Sequence, residues 1–282
     1  MRTLASLVLT LVIAALATGC GFRTTPANGT ALDLPEEGFD WAPWTEILAA
    51  HVDETGVVDW SGLATDDTDL RNLAETLATA GPKTTPERFA TEDDELAYFI
   101  NAYNILIALG VVHHWPIASV HDVSHWLSPR RGFGFFYAQR FVLDGRDLNL
   151  YGLENQIIIK EYEDARIHAA INCASASCPM LRAEAYTGAD LDAQLDEASR
   201  VFASEAPHVR VDTDAETVEL SMIYQWYAED FERDAVELGQ DADVLAWIAH
   251  YATDEVAADV ERARAGDWTV SYVTYDWALN GR

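Results

Sequence analysis

The chain has 282 residues, 49% of them hydrophobic, so it is long enough to bury a full core in one large domain or two small ones. Its 18 Lys and Arg residues stand against 47 Asp and Glu, a net charge of −29 that would repel a phosphate backbone, and no basic cluster is present, so we expect no nucleic-acid partner. An acidic surface with so few lysines favours adaptation to a saline habitat over a specific cation-binding role, because salt screens the self-repulsion.

The first residues have the pattern of a secretory signal. Arg2 supplies a positive start, Leu4 to Leu16 is apolar, and small residues precede Cys20. A cysteine at the cleavage position resembles a bacterial lipobox, so residues 1–19 are predicted to be a lipoprotein signal peptide and Cys20 the lipidated residue. The alternative is an ordinary cleaved signal with an incidental cysteine. We expect an exported protein anchored to the membrane through an N-terminal lipid, in the outer membrane or periplasm if the host is Gram-negative.

Two further segments are defined by composition. Residues 20–37 are rich in Thr, Pro, Gly and Asn and are predicted to form a flexible tether. Residues 38–282 are predicted to form a single globular domain. Helical periodicity places helices over 41–52 and 66–80 at its start.

A central buried helix is the best-defined element. Thr91 is placed to cap it, acids fill its first turn, and the helix runs to about Val112 with apolar residues nearly all round. Asn101 and Asn104 lie one turn apart on this helix. Because a buried amide needs partners, they either tie down neighbouring loops or face a polar site.

Short strands and further helices follow. Residues 130–136 are predicted to be a loop, Asp144-Gly145 predicts a tight hairpin turn, Leu153 to Tyr162 is predicted to be helical, and Ile167 to Ile171 is predicted to be a buried strand. The remaining predictions are helices over 190–204, 222–233, 243–251 and 254–264, a hairpin over 209–220 and a strand over 268–275. The fold class is therefore α+β: a helix-rich single domain with short antiparallel hairpins, favoured over a doubly wound sheet.

The residues from His168 to Leu181 (HAAINCASASCPML) bring one imidazole and two thiols close together in sequence. Cys178, followed by Pro179 at a candidate helix start, is a candidate nucleophile, with His168 as its base. Glu154 is a candidate to orient the imidazole, and Asn101 or Asn104 to donate to an oxyanion. This set would suit a thiol-dependent hydrolase or acyltransferase acting on amide or thioester bonds.

The same atoms allow a non-catalytic interpretation. Cys173 and Cys178 are spaced to close a disulfide worth about 2 kcal/mol, which would leave His168 as a core residue. Nine tryptophans and eleven tyrosines would equally suit a cell-envelope binding module for an unknown ligand. His121 and His125 have the i, i+4 spacing of zinc ligands but lack a carboxylate-bearing signature, so we predict no metal site and no cofactor.

Several segments together resemble the domain of unknown function 547 family. They are Tyr98 to Asn104, Leu153-Glu154, His168 to Leu181, Tyr186, Trp226-Tyr227, Asp230-Phe231 and Tyr275 to Asn280. The resemblance implies a single globular domain of a kind found in bacterial exported proteins and in plant proteins, and it implies no activity. This chain has Asn155 where the family often has a histidine, so any mechanism that needs a second histidine there would lack it.

Overall fold

The structure is a computed structural model that describes residues 23–281, except for the side chain of residue 23. The predicted signal peptide and the predicted lipidation of Cys20 lie outside the described residues.

Most of the regular structure is helical. The α-helices are α1 (Ala42–His51), α2 (Trp60–Thr65), α3 (Thr68–Thr79), α4 (Glu92–His114), α5 (Ile159–Tyr162), α6 (Ile167–Ala170), α7 (Leu191–Ser204), α8 (Met222–Trp226), α9 (Ala228–Glu237), α10 (Val244–Tyr251) and α11 (Asp254–Ala265). A short turn of α-helix at Leu150–Gly152 and a π-helical segment at Leu153–Ile158 lead directly into α5. A second π-helical segment covers Phe133–Ala138.

The strands form two small sheets of three strands each. They are β1 (Arg23–Thr24), β2 (Gln139–Leu143), β3 (Arg146–Leu148), β4 (Val209–Asp212), β5 (Thr217–Leu220) and β6 (Thr269–Tyr272). Each sheet joins an antiparallel hairpin, β2-β3 or β4-β5, to one parallel strand, β1 or β6. The helix-rich α+β fold class is thus confirmed.

The α4 helix begins as the sequence predicts. The Thr91 hydroxyl accepts the N–H of Asp94, and the Asp94 carboxylate accepts the N–H of Thr91, which makes a reciprocal cap. Acids fill the first turn and two histidines lie in the last, an arrangement that the helix dipole favours. The helix is long and apolar enough to cross a membrane, but 94% of its apolar window is buried inside the protein, so it serves as the core.

The buried apolar residues separate into two clusters. The α4 cluster packs α1 to α4 together with β2 and β3. The hairpin cluster packs the C-terminal half of α7, the β4-β5 hairpin and α8 to α11. The short helix α6 contributes Ile167 and Ala170 to the first cluster and Ala169 to the second, so His168 lies at the boundary between them.

Local expectations differ from the structure at two places. Residues 167–170 form one helical turn instead of a strand, closed by the Ile171 N–H on the Ile167 carbonyl. A short apolar run looks the same in a buried strand and a buried helical turn, so its pattern could not decide. Residues 133–138 form a π-helix instead of a loop, because Gly132 at φ 75° starts the turn and Phe135 is buried beneath it.

Part of the segment predicted to be a flexible tether lies within the described residues. Strand β1 pairs with β2, Thr25 is buried, and its hydroxyl accepts a hydrogen bond from the Gln139 amide. Further along, the backbone N–H of Leu32 donates to Thr76 on α3. The described residues of this segment are therefore hydrogen-bonded to β2 and α3, through both backbone and side-chain groups.

The last residues of the chain hold the centre of the molecule together. Leu279 donates its N–H to the carbonyl of Ala118, Ala176 donates to the carbonyl of Ala278, and Val58 donates to the carbonyl of Asn280. The C-terminal segment thus contacts the loop after α6, the segment after α4 and the segment between α1 and α2.

Because His208 is buried, we expect the free energy of unfolding to depend on pH. Burial lowers its pKa from 6.5 to about 4, and its Nδ1 is buried with no hydrogen-bond partner among residues 23–281. Between these pH values the unfolded chain binds a proton that the folded chain does not, so stability falls as pH falls from 6.5 towards 4. We expect the His208→Leu variant to lose about 2 kcal/mol less than the native protein between pH 7 and pH 5, measured by urea unfolding.

The matched control is His250→Leu, since His250 is exposed on α10. Its loss of stability over the same pH interval should equal that of the native protein. Equal losses in the native and His208→Leu proteins would contradict the assignment.

Candidate functional site

A cavity of about 420 Å³ lies where the two clusters meet. Tyr103 and Ile171 of the α4 cluster line one side, and Ile223 and Tyr275 of the hairpin cluster line the other. The remaining lining residues are His121, Arg130, Arg131, Gly132, Phe136, Tyr137, Tyr151, Glu154, Asn155, His168, Cys173, Cys178, Pro179, Trp226, Tyr227 and Trp277. Half of the lining residues, counting the two histidines, therefore carry aromatic rings.

A disulfide between Cys173 and Cys178 forms part of this wall, with the two Cα atoms 6.3 Å apart. The Tyr275 hydroxyl lies 3.3 Å from the sulfur of Cys173 and 3.2 Å from that of Cys178. The Cys173 backbone N–H donates to the Cys178 sulfur at 2.9 Å. With its sulfur bonded, Cys178 is not a free thiol in this structure, so the nucleophile expected from the sequence is present only in its oxidised form.

His168 is paired with an acid that the sequence analysis did not assign to it. Its Nε2 lies 2.9 Å from Oδ2 of Asp230, its ring stacks on Tyr227 at 4.0 Å, and Arg233 donates to the other oxygen of Asp230 at 3.0 Å. Burial opposes ionisation of Asp230, but His168 and Arg233 outweigh it and lower the pKa of that carboxyl. The imidazole is therefore held in one orientation by a carboxylate and an aromatic face.

Glu154 lines the cavity but does not orient His168. It lies on the π-helical segment Leu153–Ile158, and its two carboxylate oxygens accept hydrogen bonds of 2.7 Å from the hydroxyls of Tyr103 and Tyr227. Burial, and next the nearby charge of Glu154, raise the pKa of both tyrosines, so both remain protonated donors. A π-helical turn often marks a functional position, and here it places a carboxylate against the cavity.

Asn101 and Asn104 do not line the cavity. The Asn101 amide exchanges two hydrogen bonds with the backbone of Tyr186, and the Asn104 amide donates to the carbonyl of Ala170 and accepts from the N–H of Asn172. Both side chains tie down loops, which was the structural alternative, so neither is placed to stabilise an oxyanion in the cavity.

Among residues 23–281, no group of three or more His, Cys, Asp or Glu side chains is placed to hold a metal ion. His121 instead stacks on Trp277 at 4.2 Å, and the His125 Nδ1 accepts the backbone N–H of Leu127 at 3.2 Å.

The role of Asn104 can be tested by removing its amide. Asn104→Ala leaves the Ala170 carbonyl and the Asn172 N–H without partners in the interior, so we expect the free energy of unfolding to fall by about 2 to 4 kcal/mol in urea titrations. The control is Asn155→Ala, whose single bond to the Tyr151 carbonyl is exposed and should cost less than about 0.5 kcal/mol. A loss for Asn104→Ala as small as that of the control would show that the amide is not structural.

Comparison with known proteins gives one match. Residues 87–203 match the family described as "Protein of unknown function, DUF547". No curated protein and no solved structure matches the chain. The matched segment carries α4, Glu154, His168 and both cysteines of the disulfide, whereas Asp230 and Tyr275 lie beyond it. Over residues 87–203 the chain therefore matches the DUF547 family, which confirms the resemblance seen in the sequence motifs.

Proposed function

We propose that this protein is a ligand-binding domain of the cell envelope, exported and held at the membrane by a lipid on Cys20, and that the Cys173–Cys178 disulfide braces the wall of its binding cavity. The observation that supports this most is the cavity of about 420 Å³, walled by aromatic rings and a disulfide at the junction of two hydrophobic clusters. A concave, mostly apolar site with a few fixed polar groups is the usual form of a small-molecule site.

Several polar groups of the cavity are held in place by other protein groups. Both oxygens of Glu154 accept tyrosine hydroxyls, His168 is paired with Asp230, and the sulfurs are bonded to each other. Because these groups do not need to reorganise, a ligand loses little of its binding energy in ordering the wall.

A second candidate is thiol-dependent acyl chemistry by the reduced protein. A thiol reductant would convert the disulfide into two thiols, and the Cys173 N–H and the Tyr275 hydroxyl would then favour a thiolate on Cys178. In that reaction the sulfur attacks the acyl carbon of an amide or thioester, the amine or thiol leaves with a proton, and water later releases the acid. His168, paired with Asp230, is the residue available in the cavity wall to move the protons.

The binding function predicts affinity for a neutral aromatic probe. The oxidised protein should bind N-phenyl-1-naphthylamine, with enhanced dye fluorescence. Trp226 is 46% exposed, lines the cavity and contacts Tyr275 and Trp277, so Trp226→Ala should raise the Kd about tenfold. Val236→Ala, which removes an exposed apolar side chain outside the cavity wall, should leave the Kd unchanged. Equal affinities in all three proteins would contradict binding in this cavity.

The thiol candidate is separated from the binding function by its redox dependence. Protein purified without reductant should show no alkylation of Cys173 or Cys178 in peptide mass mapping, and the Cys173→Ser/Cys178→Ser double variant should be about 2 kcal/mol less stable. Reduced protein should hydrolyse a model thioester no faster than Cys178→Ser. The second candidate would be established instead if the reduced protein hydrolyses the thioester and Cys178→Ser does not. Its Asp230→Asn variant should then show a shifted pH profile of hydrolysis.

A further inference from the structure

We propose that the ligand of this cavity is an anion with an apolar, planar body, whose negative group is held at the mouth by Arg130 and Arg131. This inference rests on the binding function proposed above and names the chemical class of the ligand.

The first observation is that these two arginines are uncompensated. Nine other arginines in the part of the chain that the structure describes form ion pairs with acids. Neither Arg130 nor Arg131 has an ion pair, a side-chain hydrogen bond or an aromatic partner within residues 23–281, although both line the cavity and are exposed. In a chain with 47 acidic residues, two adjacent guanidinium groups without an acid are a distinctive local charge.

The second observation is that Asp122, an acid close to them in sequence, is already hydrogen-bonded. Asp122 accepts the backbone N–H groups of Ala118 and Ser119 at 2.9 Å each. His121 stacks on Trp277 at 4.2 Å, and both rings line the cavity together with Arg131. Burial is the larger cause that lowers the pKa of His121, and the charge of Arg131 adds to it. Arg131 therefore lines the same cavity as this aromatic stack, and within residues 23–281 its side-chain donors have no hydrogen-bond partner.

The third observation is the distribution of charge along the cavity. Glu154 lines the cavity, and its carboxylate accepts a hydroxyl from each cluster. Asp230 does not line the cavity but is paired with His168, which does. An anion would be repelled from these acids and attracted to the arginines. The negative group of a ligand is therefore directed to Arg130 and Arg131, and its apolar part to the rings of Trp226, Tyr275 and Trp277.

The chemistry of the guanidinium group supports this assignment. Arginine offers donors in a planar fork that matches carboxylate, sulfonate and phosphate groups, and it stays charged at all relevant pH values. Because the rest of the protein surface is strongly negative, an anion would be repelled there and would gain binding energy only from the two arginines and from apolar contact with the cavity. Aromatic contact and the arginine pair together are what select the ligand.

The test compares two dyes that differ in one group. 8-Anilinonaphthalene-1-sulfonate carries a sulfonate, and N-phenyl-1-naphthylamine is the same ring system without it. With the oxidised full-length protein at low ionic strength, the Arg130→Gln/Arg131→Gln variant should bind the sulfonate dye about tenfold more weakly and the neutral dye within about twofold of the native protein. The matched control is Arg200→Gln, since Arg200 is exposed on α7 outside the cavity wall, and it should change neither Kd.

The outcomes separate this inference from the function on which it rests. If the neutral dye binds the cavity but the sulfonate dye is insensitive to the double substitution, the anionic ligand class is wrong and the binding function stands. If neither dye binds, both fail. If both dyes weaken equally in the double variant, the arginines shape the cavity without selecting charge, and the inference is overturned. Thermal unfolding of each variant confirms that the comparison is made on folded protein.

Discussion

Two tyrosine hydroxyls, one from each hydrophobic cluster, meet on the carboxylate of Glu154. Tyr103 comes from the centre of α4 and Tyr227 from the junction of α8 and α9, so this one carboxylate joins the two halves of the core where the cavity lies. A half-buried carboxylate loses part of its hydration, and here two hydroxyl donors replace it. This contact spans the boundary between the clusters, where the cavity lies.

The second joint between the clusters is the pair formed by His168 and Asp230. Helix α6 is a single turn whose neighbours on either side pack into different clusters, and its histidine reaches α9. Tyr227 stacks on His168 and also donates to Glu154, so the two joints share one aromatic ring. Tyr103, Glu154, Tyr227, His168 and Asp230 therefore form one connected network of direct contacts.

Features encoded within a few residues could be predicted from the sequence. The cap at Thr91, the apolar length of α4 and the Asp144-Gly145 turn each depend on neighbours in the chain, and each is found as expected. The helical turn at α6 and the π-helix at Phe133–Ala138 depend on packing from distant segments, so the local pattern did not reveal them. The same is true of the acid paired with His168, which is 62 positions away.

The cavity could be predicted only in part. The sequence directed attention to Cys173, Cys178, His168 and Glu154, and all four line one space. The sequence could not show that the side-chain amides of Asn101 and Asn104 bind neighbouring loops and do not face the cavity. Asp230 lay within a motif used for the family resemblance, but nothing in its spacing connected it to the imidazole. The two arginines at the mouth lie in a stretch expected to be a loop, where sequence alone gives no orientation.

The parallel pairing of β1 with β2 has a consequence for how the molecule would sit at a membrane. Only residues 21 and 22 separate Cys20 from β1, and so short a piece of chain reaches on the order of 10 Å even when fully extended. If Cys20 carries a lipid, the globular body rests almost directly on the headgroups, with little freedom to swing away. The edge of the sheet that contains β2 would then face the bilayer, and diffusion of the domain would be confined to a thin layer above the lipid.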